Sequence, residues 1–298
     1  MRFKLAGVGE VLWDLLPGGR QLGGAPANFA YHACALGAEG RVISRVGRDE
    51  LGREIISRLQ KLGVPVDCIE IDETLPTGTV SVELGPDGQP QFTIHENVAW
   101  DALQGEAASL RAAGEADAVC FGTLGQRCEP ARSAIRKLVA AAPKNALRIF
   151  DVNLRQHFFS TQIIAESLAL ANVLKVSDVE LPKLAEMLNL SGNQRDQIAC
   201  LAQRHGLLLV ALTRGAHGSV LYSEGRFSEH SGIQVNVVDT VGAGDAFTAA
   251  MALGMLSGWA IDRINEFANR VAAYVCSCAG ATPPLPPELR SQIGLGRA

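Results

Sequence analysis

Nowhere in the 298 residues do 18 apolar side chains run together, so no membrane-spanning segment is expected. The basic start Met1-Arg2-Phe3-Lys4 leads into only a few apolar residues before Glu10 and Asp14 interrupt them. No signal-peptide core forms there, and the expected location is the cytoplasm. An excess of positive charge is missing too: 27 Lys plus Arg against 31 Asp plus Glu gives a formal net charge of −4. Nucleic acid and membrane surfaces select a basic face, so neither is an expected partner. The seven cysteines are odd in number and scattered mostly through apolar stretches, which reads as reduced, buried thiols rather than a disulfide framework. Cys276 and Cys278 form the one close pair, and no second Cys/His pair completes a metal site. Several motifs are absent as well. There is no G-x-x-x-x-G-K-[ST], no Gly-x-Ser-x-Gly, and His95-Glu96 lacks the second histidine of His-Glu-x-x-His. Gly7-Val8-Gly9 follows a strand-like run, but position 12 is Leu, so the dinucleotide fingerprint of an NAD-dependent dehydrogenase fails. Those glycines read instead as a strand end packed closely on a neighbour.

What is present is an alternation of periods. At 47% hydrophobic the chain is long enough to bury about three quarters of its unfolded surface. Short apolar runs at 3–8, 41–46, 117–121, 147–151, 173–176 and 207–212 read as strands. Between and after them, helical patterns run at 27–36, 50–62, 130–142, 162–171, 181–189, 243–257 and 262–278. Two more short strands flank Gly225. This predicts one α/β domain over 1–298, a doubly wound, mostly parallel sheet with its site at the strand carboxyl ends. Residues 64–100 break the rhythm. Thr79–Glu83 and Gln91–His95 alternate about Pro86-Asp87-Gly88, a β-hairpin signature. Together with about 10–22, this stretch is expected to form a small inserted β-rich lid. Pro283–Pro287 reads as an extended surface segment.

The segment with the most chemistry is Val238-Asp-Thr-Val-Gly-Ala-Gly-Asp-Ala-Phe247, lying between a strand-like run and an Ala-rich helix. Gly242 and Gly244 permit a tight turn that exposes amide N–H groups at the helix start, an anion site. Asp245, itself an anion, is out of place as a phosphate ligand. It fits a proton acceptor for a hydroxyl attacking that phosphate, or more simply a helix cap. At the other end of the chain, Gly23-Gly24-Ala25-Pro26-Ala27-Asn28 allows close backbone approach, and Asn28 offers a donor and an acceptor together. Asp14 would accept from hydroxyls.

These runs carry a resemblance. Asp239–Phe247 matches the C-terminal motif of the PfkB/ribokinase family of sugar kinases, and Gly23–Asn28 with Gly37 matches its N-terminal motif. The likeness spans essentially the whole chain and implies a ribokinase-like fold. It implies that Gly242, Ala243 and Gly244 form the anion hole and Asp245 the base. It assigns Asp14, Gly23, Gly24 and Asn28 to the sugar, with Asn97, Trp100 and Asp101 of the flap setting specificity. Asp151-Val-Asn153-Leu-Arg155 is similar to a fructokinase segment, so Asn153 and Arg155 are expected at the substrate. Thr213-Arg-Gly215-Ala-His-Gly218 resembles the family's nucleotide loop. Asn269 corresponds to a position near the adenine, or is a solvent-facing polar residue. Ser177-Asp-Val-Glu180 stands where the family has Asn-x-x-Glu; Glu180 would organise Mg²⁺ through water, and Lys175 would compensate for Ser177. A monovalent cation, K⁺, would be held by backbone carbonyls at Asp239, Val241, Val275, Cys278, Gly280 and Pro284.

The expected function is therefore ATP-dependent phosphorylation of a sugar, fructose first. Mg²⁺ would neutralise the phosphates, because few cationic residues stand near the anion hole in sequence. Ribose and 2-keto-3-deoxygluconate are the alternatives, and a non-catalytic sugar-binding relative is a further one. The hairpin also offers a surface through which two copies could pair as a homodimer.

Overall fold

The structure is a computed structural model that describes residues 2–16, 18–84 and 90–293. In chain order the elements are β1 (Lys4–Val8), β2 (Leu12–Leu16), β3 (Gly19–Gly23), α1 (Ala25–Ala35), β4 (Glu39–Gly47), α2 (Glu50–Lys61), β5 (Ile69–Asp72), β6 (Gly78–Leu84), β7 (Pro90–Ile94), α3 (Ala107–Gly114), β8 (Ala118–Phe121), α4 (Glu129–Ala141), β9 (Leu147–Asp151) and α5 (Thr161–Leu170). There follow β10 (Val173–Ser177), α6 (Leu181–Leu188), α7 (Gln194–His205), β11 (Leu209–Thr213), β12 (Ser219–Ser223), β13 (Arg226–His230), α8 (Ala243–Leu256), α9 (Ile261–Cys276) and α10 (Pro287–Arg290).

Among the described residues, nine strands form one sheet in the order β13-β12-β11-β10-β9-β8-β1-β4-β5. From β5 to β11 the neighbours are parallel; β12 and β13 close one edge antiparallel. The central strands are continuous apolar runs because helices cover both faces. One core lies between the sheet and α3–α7, built on Val8, Phe121, Phe150 and Val176. The other, on Leu5, Ile149, Leu209 and Leu221, lies under α1, α8 and α9. The expected doubly wound α/β domain is the observed one.

A second sheet, β3-β2-β6-β7, is separate. Its inner strands β2 and β6 run parallel and its outer pairs antiparallel. It draws on 12–23 and 78–94. Ile69–Asp72, inside the stretch that broken alternation assigns to the insertion, instead extends the large sheet beside β4. The strand is only four residues long, too short for its pattern to register. The turn at Pro86-Asp87-Gly88 lies outside the described residues. Pro283–Pro287 is a surface segment only in part: Pro284 and Pro287 are exposed, but Pro283 and Leu285 are buried, and the Tyr31 hydroxyl donates to the Pro283 carbonyl at 2.9 Å. No helix among the described residues is long and apolar enough to cross a membrane. All seven cysteines are free, and no cluster of three or more His, Cys, Asp or Glu is arranged to hold a metal among the described residues.

The first strand meets the first helix without a gap. A Cβ on Gly7 would overlap the carbonyl of Pro26, and the Cα of Gly125 lies against Gly9. The Gly7-Val8-Gly9 pattern is thus a close approach of backbones, seating the start of α1 on β1. We expect Gly7→Ala to cost about 1–3 kcal/mol or more, the scale of core overpacking, because the obstacle is backbone rather than a rotatable side chain. Urea unfolding checks this; an unchanged midpoint would contradict the close packing.

Candidate active site

Helix α8 begins without a side-chain cap. Gly242 precedes it in the left-handed region at φ 77°, and Asp245 is its third residue. A Cβ on Gly242 would fall 2.6 Å from the Ala281 carbonyl oxygen, so glycine is needed for space as well as for φ. Asp245 does not turn back onto its own helix as a cap would. Its Oδ2 accepts from Asn28 Nδ2 of α1 at 2.8 Å. The two helices pack directly on each other, sharing one apolar core in which Phe29, Ala33 and Leu36 of α1 meet the small residues Ala246, Ala249 and Ala250 of α8. Burial first, and then the nearby charge of Asp151, raises the Asp245 carboxyl to about 7 against the lowering effect of Asn28, Lys175 and Arg155.

Beneath the turn sits a buried ion pair. Lys175, on β10, donates from Nζ to Asp151 Oδ1 at 3.0 Å, and Thr248 Oγ1 of α8 donates to Asp151 Oδ2 at 3.2 Å. The ammonium stands 3.3 Å from where a Cβ of Gly244 would be. The expectation of few cations near the anion hole is therefore corrected. Lys175 is 70 residues from Asp245 in sequence, and adjacent strands bring it under the turn. Asp151 and Thr248 were missed as site residues; an acidic residue closing a buried strand was the available signal for Asp151.

On the other side of Asp245 the small sheet and β1 supply acceptors. Glu10, at the end of β1, is 3% exposed, and its Oε2 has no hydrogen-bond partner. Burial, then the charge of Asp245, lifts its carboxyl to about 7. The Oδ1 of Asn28 is likewise buried and unpartnered. Asp14, on β2, is lifted to about 6 by burial, with Arg155 opposing. Gly23, opposite Leu12 in the β2–β3 pair, lies diagonally from Asp14, and a side chain at Gly23 would collide with the Asp14 carboxylate. Gly24 adopts φ 110° against the Glu10 carbonyl. Asn153, left-handed at φ 45°, lines a recess with Asp245, Asp151 and Phe29. Arg155 is exposed in the loop after β9. Glu10 was not among the expected site residues, though an acid at the end of the first buried strand marked it.

Asn97 is exposed and left-handed at φ 57°. Trp100 and Asp101 are not available to a sugar. Both are buried against Arg127, whose Nε and Nη2 donate to the Asp101 oxygens at 2.7 and 2.8 Å and whose guanidinium lies 3.9 Å over the Trp100 ring. Nη2 of Arg127 also donates to the His95 carbonyl at 2.6 Å, just beyond β7, so the cluster fastens the small sheet to the large domain.

The remaining residues spread along the carboxyl edge. Thr213 ends β11 next to β10. Gly215 and Gly218 shape the turn after it, and a side chain at Gly218 would overlap the His230 carbonyl. Asn269 is not solvent-facing. It is buried, its Nδ2 donating to Ser219 Oγ at 2.7 Å and the Asn265 carbonyl at 2.8 Å. Glu180 accepts from Ser177 N and Oγ at 2.8 and 2.6 Å and from Leu154 N at 2.9 Å, which with Lys175 holds its carboxyl below the usual range despite burial. Ser177 thus spends its hydroxyl on Glu180. Asp239 joins two loops, accepting from Val241 N at 3.0 Å and Gly280 N at 3.1 Å. Val275 and Cys278 close α9 alongside, where Cys278 N donates to the Val275 carbonyl at 3.0 Å. The Pro284 carbonyl accepts from Tyr274 OH at 3.0 Å.

Residues 18–288 match the pfkB family carbohydrate kinase pattern. The chain is 32% identical over 311 residues to the fructokinase of Escherichia coli, covering 98% of this chain and all of that one. It is 31% identical to the fructokinase of Solanum tuberosum, over 89% of this chain and 83% of the other. The crystal structure of an uncharacterized sugar kinase from Pyrococcus horikoshii in complex with ATP has a TM-score of 0.79 at 30% identity, over 93% of this chain and 94% of that chain.

The raised Asp245 carboxyl has a stability consequence. Unfolded, it loses its proton near 3.8, and folded near 7, so the native state is progressively disfavoured as pH rises through that window and by a constant amount above it. Asp245→Asn should therefore melt higher than the parent at pH 8, with the difference disappearing below about pH 4. Calorimetric scans at both values check this; an equal or lower melting temperature at pH 8 would contradict a desolvated carboxyl.

Proposed function

The chain belongs to the pfkB family of carbohydrate kinases, and from that premise we propose that it transfers the γ-phosphoryl group of ATP to a primary hydroxyl of fructose or a ketose of the same furanose shape. The observation that carries the reading is the pair of buried acceptors without partners, Asn28 Oδ1 and Glu10 Oε2, at the cleft that holds Asp245 and Asp14. Buried polar atoms demand partners, and acceptors demand donors, which a ligand rich in hydroxyls supplies. That the relatives from Escherichia coli and Solanum tuberosum are fructokinases favours fructose among such ligands.

In the proposed reaction Asn28 holds the Asp245 carboxylate toward the substrate, and Asp245 takes the proton of the attacking hydroxyl. The amides of Gly242, Ala243 and Gly244, with the positive end of α8, receive the phosphate, and the Lys175 ammonium beneath the turn adds charge where water is excluded. Thr213, Gly215 and Gly218 would pass the nucleotide along the strand edge, with Asn269 behind them. Ile233, Val237, Val238 and Val241 leave an apolar surface beside the turn that a base could cover. Arg155 stands free to pair with a phosphate or an anionic sugar group as a planar fork. Mg²⁺, when bound with ATP, supplies charge neutralisation at the phosphates; Glu180, whose oxygens are already engaged by Ser177 and Leu154, fits a role at one water's remove better than direct ligation. The junction of the 239–241 and 278–281 loops, rich in carbonyls and tied by Asp239, fits a monovalent cation. The small sheet is the proposed lid, and two of its apolar side chains, Leu15 and Phe92, are exposed where a sugar or a second copy would cover them.

Asp245→Asn should lower kcat by about 10²–10⁴, the scale of a lost general base, with fructose affinity by calorimetry little changed. Unaltered turnover would remove Asp245 from the reaction. Below about pH 7, kcat/KM should fall as Asp245 takes up its proton. An ATP-dependent turnover panel of ketoses, aldoses, nucleosides and sugar acids tests the substrate: the highest kcat/KM belongs to fructose in this reading, and a sugar acid in first place would reassign Arg155 to a substrate carboxylate.

A further inference from the structure

Helix α1 carries more than Asn28. One turn on, Tyr31 and His32 reach the loop that backs the anion hole. Tyr31 OH donates to the Pro283 carbonyl and His32 Nε2 bonds the Ala281 carbonyl, both at 2.9 Å. A carbonyl can only accept, so His32 Nε2 carries a proton. The ring is wholly buried, its Nδ1 has no partner, and burial lowers its pKa to about 4, so it stays neutral at working pH. A leucine of similar size would bury no unpaired nitrogen, so packing alone does not call for histidine here.

What His32 holds is the wall of the phosphate turn. A Cβ built on Gly242 would fall 2.6 Å from Ala281 O and 2.8 Å from its Cα and Cβ, so Ala281 and Gly242 are in direct backbone contact. Gly242 sets the entry to α8 at φ 77°, and with it the direction of the amides that follow. The neighbouring residue, Gly280, is tied through its N–H to Asp239, which also receives Val241 N. Gly242 is therefore flanked on both sides by anchored backbone, and of the two α1 side chains that bond this loop His32 is the one that reaches Ala281 itself.

We infer that His32 is a positioning residue for phosphoryl transfer: through Ala281 it fixes the backbone of Gly242, so that one helix, α1, aligns the base through Asn28 and the anion hole through His32. The inference rests on reading Gly242–Gly244 as the phosphate cradle. It makes no contact with either substrate, so its signature is a split between catalysis and sugar affinity.

The test compares His32→Leu, which fills the space without a donor, with His32→Gln, whose amide Nε2 can donate to the same carbonyl. We expect His32→Leu to lose about ten- to hundredfold in kcat, the scale of a displaced catalytic group, with fructose affinity measured without ATP within about twofold of the parent. His32→Gln should recover most of the loss. Turnover of folded His32→Leu within about twofold of the parent, or equal loss in both variants, overturns the inference. Should His32→Leu fail to fold, His32→Met, which also fills the space without a donor, takes its place; a folded His32→Met protein with kcat within about twofold of the parent overturns the inference equally. Gly244→Val separates the two levels. If it is folded and fully active the cradle reading falls, and this inference with it; if it is inactive while His32→Leu is unimpaired, only the role of His32 falls.

Discussion

The hydrogen bond between Asn28 and Asp245 joins residues 217 apart in the chain, and the rest of the site is arranged around it. It requires α1 and α8 to lie within touching distance, which the small residues of α8 packed on Phe29 and Ala33 of α1 allow. It also requires α1 to start hard against β1, which Gly7 and Pro26 allow. Once the helices are so placed, the acidic residue at the start of one and the amide at the start of the other cannot avoid each other, and the N-terminal and C-terminal motifs become a single site.

Bringing these groups together is costly for the folded state. Glu10 and Asp245 are pushed to about 7 and Asp14 to about 6, each chiefly by removal from water. Clustered carboxyls with raised pKa values are what a fold selected for stability alone would avoid, and what a proton-accepting site needs. The Lys175–Asp151 pair belongs to the same compromise. A buried ion pair returns little net stability over well-packed apolar residues. Its effect here is positional: the carboxylate holds a cation directly beneath the Gly242–Gly244 turn.

The small sheet is held by interactions of a different kind. Arg127 is inserted between Trp100 and Phe158 and bonded to Asp101 and the His95 carbonyl, while Gln156 Nε2 donates to the Phe92 carbonyl at 2.6 Å from the loop that bears Asn153 and Arg155. The strands bearing Asp14 and Gly23 are set relative to the large domain by these polar contacts together with two apolar clusters, in which Trp13 and Leu22 pack on α1, β4 and α2, and Leu12, Val80 and Ile94 pack on Leu124 and Phe158.

The sequence by itself determined the alternation of strands and helices, the separate β insertion and the two glycine-bearing motifs, because these are local patterns: period, turn chemistry and helix-start residues act within a few positions of each other. Helix α7 escaped it despite the Asn193/Asp196 capping box, since its polar face outweighs Ile198, Leu201 and Ala202 in any local reading. So did β2, β3 and β5, too short or too glycine-rich to show a period. Only the tertiary structure decided that Lys175 stands under the Gly242–Gly244 turn, that Glu10 is buried near Asp245, that Trp100 and Asp101 are spent on Arg127, and that His32 reaches Ala281. Each of these depends on which strands are neighbours and how closely two backbones approach, and neither quantity is written in any short stretch of chain.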